Sequence, residues 1–170
     1  MTKKKKLAIA GASGFIGRWF IETYKNHYDI IALSRKKIEN NNNDVEWRTV
    51  DLFSISSSSE ALKGVDYALY LVHSMQPSTR LNQGSFEDTD LLLADNFSIA
   101  AEECKLKQIV YVGGILPKDD KNISMHLRSR YEVEQVLGSR QTPLTAIRAG
   151  IIIGPGGSSF NIVQKLVKNL

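Results

Sequence analysis

The chain has 170 residues, 42% of them hydrophobic and 24% charged, a balance that suits one folded domain over 1–170 and excludes a disordered tail. Its net charge of +4 is supplied by the run Lys3–Lys6, so no basic face is implied and nucleic acid is not an expected partner. A single cysteine, Cys104, excludes an internal disulfide framework, and no Cys/His cluster has the spacing of metal ligands, so no metal is expected.

Short apolar runs alternate with helical patterns along the chain. Leu7 to Ala10 reads as a buried strand ending at Gly11, and Phe15 to Tyr24 as an amphipathic helix. The apolar start is broken by Gly11, Ser13, Gly14 and Gly17 and closed by Arg18 without a cleavage site, so no signal peptide is expected. Ile30 to Leu33 is a second strand, Asn40 to Asn43 a solvated loop, and Glu46 to Val50 a third strand ending at Asp51. Ser56 to Ser59 supply an N-cap for a short helix through Lys63, stopped by Gly64, and Tyr67 to Val72 is the fourth strand.

A polar loop, Ser74 to Asp88, is long enough to be functional. Asp90 to Lys105 is the longest helical pattern, with Leu93, Phe97, Ala100, Ala101 and Cys104 on one stripe, a placement that reads Cys104 as packing. Ile109 to Val112 is a strand ending in Gly113-Gly114, a helix runs from about Ser129 to Leu137, Leu144 to Ile153 is the sixth strand, and Phe160 to Leu170 is helical. Arg148, on that sixth strand, is expected to make a structural ion pair or backbone contact. Strand–helix alternation at this spacing predicts an α/β fold, a doubly wound parallel sheet between two helical layers. No segment reaches the roughly 18–20 apolar residues of a membrane span, and a soluble cytoplasmic protein is expected.

Gly11-Ala12-Ser13-Gly14-Phe15-Ile16-Gly17 follows the first strand and opens the first helix. A dinucleotide site needs glycine there, because a side chain would hold the backbone away from the pyrophosphate, which the helix N-terminus then receives. An NAD-preferring site places an acid about 20 residues further on to hold the ribose 2′-hydroxyl. Here that turn carries Ser34, Arg35, Lys36 and Lys37 and no acid. Arginine pairs with a 2′-phosphate through its planar fork, which favours NADP(H) over NAD(H), although an exposed basic turn without a ligand has the same composition. Asp51 suits either a hydrogen bond from the adenine amino group or the capping of its own turn.

These residues, with DLF at Asp51–Phe53, YLVHSM at Tyr70–Met75, NFSIAAEE at Asn96–Glu103, IVYVGG at Ile109–Gly114 and RAGIIIGP at Arg148–Pro155, resemble the extended and atypical short-chain dehydrogenase/reductase families, nearest the NAD(P)H-binding, NmrA-like branch. The resemblance runs from Leu7 to about Phe160 and implies a Rossmann fold. It implies Gly11, Ser13, Gly14, Phe15 and Ile16 at the pyrophosphate, Ser34 and Arg35 at the 2′-phosphate, Asp51 and Leu52 beside adenine, and Val72, His73 and Gly113 on the route to nicotinamide.

The catalytic residues of that family do not carry over. Short-chain dehydrogenases use a tyrosine acid with a lysine four residues later, and none of the six tyrosines here is followed by lysine at that spacing. Alignment on Val133–Leu137 puts His126 in the tyrosine's place and Arg130 in the lysine's, while Gly113-Gly114-Ile115 stands where the serine would be. Histidine can act as an acid near neutral pH, and an exposed helix start accounts for the same two residues without chemistry. His73, at the tip of the fourth strand, reads as a lining residue before a base. Two functions follow: an oxidoreductase or epimerase-like enzyme acting on a small carbonyl or sugar, or a regulatory module that senses NADP(H) without turning it over. Members of the resembled family continue well past the sixth strand, so the C-terminal substrate region is expected to be absent or truncated here. The apolar face carrying Phe160, Val163, Leu166 and Val167 suits a homo-oligomer or a partner.

Overall fold

Four of the strands begin as near-continuous apolar runs, the pattern of strands buried on both faces, and they assemble accordingly. In the computed structural model, β1 (Lys6–Ala10), β2 (Asp29–Ser34), β3 (Glu46–Thr49), β4 (Tyr67–Tyr70), β5 (Gln108–Gly114) and β6 (Leu144–Ala149) form one parallel sheet in the order β3-β2-β1-β4-β5-β6. The structure describes residues 4–38, 44–73, 86–116, 123–154, 156–157, 164–165 and 167.

Alternation along the strands divides the core in two. Ala8, Ala10, Ile31, Leu33, Ala68, Tyr70, Ile109 and Tyr111 pack with α2 (Ile55–Leu62), α3 (Phe86–Glu103) and α4 (Met125–Leu137). Leu7, Ile9, Ile30, Ala32 and Leu69 face the other way, against Phe20 and Ile21 of α1 (Phe15–Tyr24). The sheet therefore lies between two helical layers, as the alternation predicts. Phe97 of α3 is wholly buried with its ring 5.0 Å from that of Tyr70, fixing α3 beneath the centre of the sheet.

Several boundaries differ from the sequence expectation. Ser54, not the Ser56–Ser59 run, caps α2: its extended backbone lets Oγ accept from the Ser57 N–H at 3.2 Å. α4 begins at Met125, capped by Ser124, a full turn before the expected Ser129. β6 ends at Ala149 and is the edge of the sheet, so Ile147, Ile151 and Ile153 are exposed. Arg148 sits on this half-exposed strand and forms the expected ion pair, bidentate to Glu134 of α4 at 2.7 and 3.1 Å. The expected loop Ser74–Asp88 lies outside the described residues up to 85, and its last residues belong to α3. Asn40–Asn43 also lie outside them, as does the expected helix Phe160–Leu170 apart from helical Gln164, Lys165 and Val167.

Candidate functional site

Parallel pairing places the carboxyl ends of the strands in one row. Ala10 stands opposite both Leu33 and Tyr70, Tyr70 opposite Tyr111, and Ser34 opposite Thr49. Ser34 in this row, and Gly11, Arg35, Asp51, Val72 and His73 just beyond it, are residues the sequence singles out. Strand order reverses between β1 and β4, the crevice where ligands of open α/β sheets bind.

Gly11 turns the chain out of β1 with φ +87°, a conformation in which other residues are strained, and a Cβ there would lie 3.0 Å from the Leu71 carbonyl carbon. The Gly14 N–H donates to the Gly11 carbonyl at 3.0 Å, closing the turn. Gly17, in the first turn of α1, lets the helix rest on the loop: a Cβ would sit 2.6 Å from the Gly11 oxygen and 2.7 Å from Ala12. Gly14 is the N-cap of α1, with no side-chain cap and no acid in the first turn, so this end carries an uncompensated positive dipole. Ser13 and Gly14 are exposed, and Phe15 and Ile16 half-buried. The segment after β6 closes on the same helix start, since a Cβ at Gly154 would meet the Phe15 ring at 2.9 Å. A turn that excludes side chains and offers uncapped N–H groups fits the pyrophosphate of a dinucleotide.

At the end of β2, the Ser34 Oγ accepts from the Lys36 N–H at 3.2 Å, ordering the turn that leaves Arg35, Lys36 and Lys37 exposed. Asp51 caps its own turn: Oδ1 accepts from the Phe53 N–H at 3.1 Å, and its N–H donates to Ser57 Oγ. Leu52 is a core residue, 7% exposed, and the Asn96 amide donates to its carbonyl at 3.0 Å.

At the end of β4, Val72 packs on the α2–α4 core, and the half-buried His73 brings Nδ1 to 2.9 Å from Asp90 Oδ2 of α3. The Asp90 side chain is only 3% exposed. The His126 ring stands edge-on to His73, centroids 4.8 Å apart, so the histidine aligned with the catalytic tyrosine does reach the site. Arg130 does not take up the lysine's task. Its guanidinium donates to the Val112 carbonyl and lies 5.5 Å from the centre of the Tyr111 ring, while the Tyr111 hydroxyl donates to the Arg130 carbonyl. Burial pushes the Tyr111 phenol up to about 12 and the Tyr70 phenol well above its usual value, so both stay protonated at neutral pH. Gly113 is buried against the Tyr111 ring, and a Cβ at Gly114 would fall 2.7 Å from Leu127, so α4 covers the position of the usual serine.

A family model described as "NAD dependent epimerase/dehydratase family" matches residues 7–149, from the second residue of β1 to the end of β6. The chain belongs to this epimerase/dehydratase family. It is 29% identical over 145 residues to the auxiliary protein GraX of Staphylococcus aureus, covering 83% of this chain and 43% of that protein, so it spans less than half the length of this relative. Among solved structures, UDP-N-acetylglucosamine 4-epimerase from Bacillus cereus superposes with TM-score 0.73 at 20% identity, covering 97% of this chain and 66% of the other. The Bordetella bronchiseptica enzyme WbmG in complex with NAD gives 0.76 at 12% identity, with 99% and 61% coverage. At such identities these two share the fold.

Within this epimerase/dehydratase frame, Asp90 is the site residue that the sequence reading missed, having taken it only as a helix start. The signal was present: Asp90 precedes Leu93 by three residues and Phe97 by seven, which puts a carboxylate on the buried stripe of α3. Among the described residues, no group of three or more His, Cys, Asp or Glu side chains could hold a metal ion, and no helix is long and apolar enough to cross a membrane.

Proposed function

We propose that this chain is the dinucleotide-binding half of a cytoplasmic NADP(H)-binding regulatory protein of the epimerase/dehydratase family, one that reads the nucleotide without the tyrosine–lysine chemistry. The observation that carries the binding reading is the glycine cradle, where Gly11 and Gly17 leave no room for a side chain and the first turn of α1 has no cap of its own. Gly11, Ser13, Gly14, Phe15 and Ile16 hold the pyrophosphate, Ser34 and Arg35 the 2′-phosphate, Asp51 and Leu52 flank adenine, and Val72, His73 and Gly113 line the far half. Preference for the 2′-phosphorylated form rests on the exposed Arg35 and the absence of an acid at the end of β2. A bound nicotinamide dinucleotide brings two-electron redox chemistry. The regulatory reading is supported by Arg130, whose guanidinium is committed to the Val112 carbonyl, by α4 over Gly114, and by a relative named for an auxiliary role.

The pairing of half-buried His73 with the buried Asp90 carboxylate favours a second reading, an oxidoreductase or epimerase-like enzyme for a small carbonyl or sugar substrate. An oligomer or partner on the face of Val167 is compatible with both.

Titration of purified protein with NADPH and NADH, followed by nucleotide fluorescence, tests the proposal. NADPH binds more tightly, and Arg35→Ala weakens NADPH by roughly 10- to 100-fold while leaving NADH unchanged, the size of a charge-assisted hydrogen-bonded contact. Failure to bind either nucleotide overturns the proposal, and tighter NADH binding overturns the role of Arg35. NADPH oxidation above buffer rates across a carbonyl-substrate panel favours the second reading.

A further inference from the structure

The two edges of the sheet are finished differently. β3, at one edge, is four residues long and guarded by charge: Glu46 pairs with Arg48 at 2.7 Å, and the Arg48 guanidinium donates to the carbonyls of Ala61 and Lys63 at the end of α2. Short, charged edge strands resist pairing with other chains. β6, at the opposite edge, is six residues long, carries no lysine or proline, and has no strand beyond it among the described residues. Its one charge is turned aside, since the Arg148 guanidinium lies bidentate on Glu134 of α4.

The ladder to β5 fixes which groups this edge presents. The Ile109 N–H donates to the Pro143 carbonyl at 2.8 Å, and the Ile115 N–H to the Ala149 carbonyl at 3.1 Å. Alternate residues of a parallel strand bond to the same side, so Thr145 and Ile147 spend their backbone groups on β5, while Leu144, Ala146 and Arg148 turn theirs outward. Side chains alternate in the same way. Leu144 and Ala146 pack on the α2–α4 core, whereas Thr145 and Ile147 face the other layer, where Ile147 is 51% exposed. Open N–H and C=O groups beside an uncovered β-branched side chain make a template for one more strand.

The residues of β6 suit a second copy of β6. Laid antiparallel and centred on Ala146, the strand puts Ala146 opposite the partner's Ala146 and Leu144 opposite the partner's Arg148. The outward groups then exchange about six hydrogen bonds across the seam. A methyl group at the centre leaves room for close approach. The two arginines stand roughly 14 Å apart along the strands, so no like charges meet. On the other face Thr145 lies opposite the partner's Ile147, and the same pair recurs across the dyad, covering both isoleucines with a β-branched neighbour. Centring on Arg148 would set like charges face to face, and centring on Leu144 would draw in residues outside the strand.

We infer that β6 is a self-association edge, through which two copies of this chain pair antiparallel and join their sheets into one. β4 and β5 lie between this seam and the Gly11 turn of β1, so the inference is independent of the dinucleotide reading.

Sedimentation equilibrium of the full chain tests it, with twice the 19.0 kDa chain mass expected. Thr145→Lys with Ile147→Lys sets like charges opposite one another across the seam and alters only exposed side chains, so the dimer should weaken at least about tenfold. Thr145→Lys with Ile147→Glu sets opposite charges at the same places and should recover most of the loss, a reversal that a general apolar contact would not show. In the wild type the N–H groups of Leu144, Ala146 and Arg148 should resist hydrogen exchange, and in the double-lysine variant these lose protection while positions 145 and 147, bonded to β5, keep theirs. Melting temperatures identify any unfolded variant, for which the wild-type mass and exchange pattern stand as the test. A wild-type monomer overturns the inference and leaves the edge to a strand of another polypeptide. A dimer indifferent to the double-lysine change, or one that the lysine–glutamate change fails to restore, overturns it too. NADPH titration of the same proteins reads the dinucleotide proposal separately, and failure to bind leaves the β6 seam standing.

Discussion

Gly17 concentrates the sequence-to-site logic in one missing atom. The backbone of the turn and the first turn of α1 approach so closely that a methyl group would stand 2.6 Å from the Gly11 oxygen and 2.7 Å from both the Cα and oxygen of Ala12. All of these are backbone atoms, so no rotamer change relieves the contact; the helix must move off the turn. Gly17→Ala is therefore expected to lower stability by roughly 1–3 kcal/mol through overpacking. It also displaces the N–H groups that receive the pyrophosphate, weakening NADPH at least about tenfold by the same fluorescence titration. Gly64→Ala is the control: φ is +69° but nothing lies within 4 Å of the added carbon, so it carries only left-handed strain of about 1 kcal/mol and leaves affinity unchanged. Unchanged affinity in Gly17→Ala would refute the cradle. The glycines were legible because a close approach leaves a residue type with no substitute. Asp90 and its bond to His73 were not, because that pair joins residues 17 apart in sequence and each has an ordinary local reading.

At the scale of elements, α3 ends in a way the sequence does not advertise. Lys105 adopts φ +56°, and the Leu106 N–H reaches back to the Ala101 carbonyl at 2.9 Å, a left-handed stop of the kind glycine usually makes. Left-handed backbone costs a residue with a Cβ about 1–2 kcal/mol, and glycine's greater freedom in the unfolded chain returns roughly 0.4–1 kcal/mol of that. Lys105→Gly should thus stabilise the protein by about 0.5–1 kcal/mol, a rise of roughly 1–4 °C in the melting temperature. A fall in melting temperature would show that the lysine side chain holds the stop. The central strands were legible for a plain reason: burial on both faces demands apolar runs, and β1 and β2 are such runs. β6 was over-extended by the same rule, because Ile151–Ile153 are apolar without being covered. The start of α4 was missed because Met125 and His126 are exposed and Ser129 is its first buried residue, so the first turn carries no periodic signal.

Across the whole molecule, the two ends of the sheet have separate duties. The carboxyl end holds the candidate site, and the amino end is gathered by Asp66, just before β4. Its Oδ2 accepts from the Lys6 N–H of β1 at 3.0 Å and its Oδ1 from Lys107, just before β5, at 2.6 Å. The Lys107 ammonium, followed by the Lys6 N–H, holds the Asp66 carboxyl below its usual pKa, and the same bond raises that of Lys107. A carboxyl whose pKa is depressed by folding stabilises the native state fully above its unfolded value, about 3.9, and that stability is lost as pH falls through the lower folded value. Lys107, shifted upward, contributes below about 10.4 and loses its contribution as pH rises through its raised value. The strand ends are thus held from weakly acidic to weakly alkaline solution. Asp66→Asn should melt below wild type at pH 7, and the difference should close as pH drops below the ordinary carboxylate range. Added salt should shrink it only in part, since Lys107 is half exposed and screened whereas the Lys6 N–H bond is not. Because Asp66 lies at the opposite end of the strands from Gly11 and His73, the variant should bind NADPH as wild type does wherever both are folded. A melting difference that persists undiminished in acid would place the contribution of Asp66 elsewhere than in its charge, and an NADPH affinity that falls with it would show that the two ends are coupled.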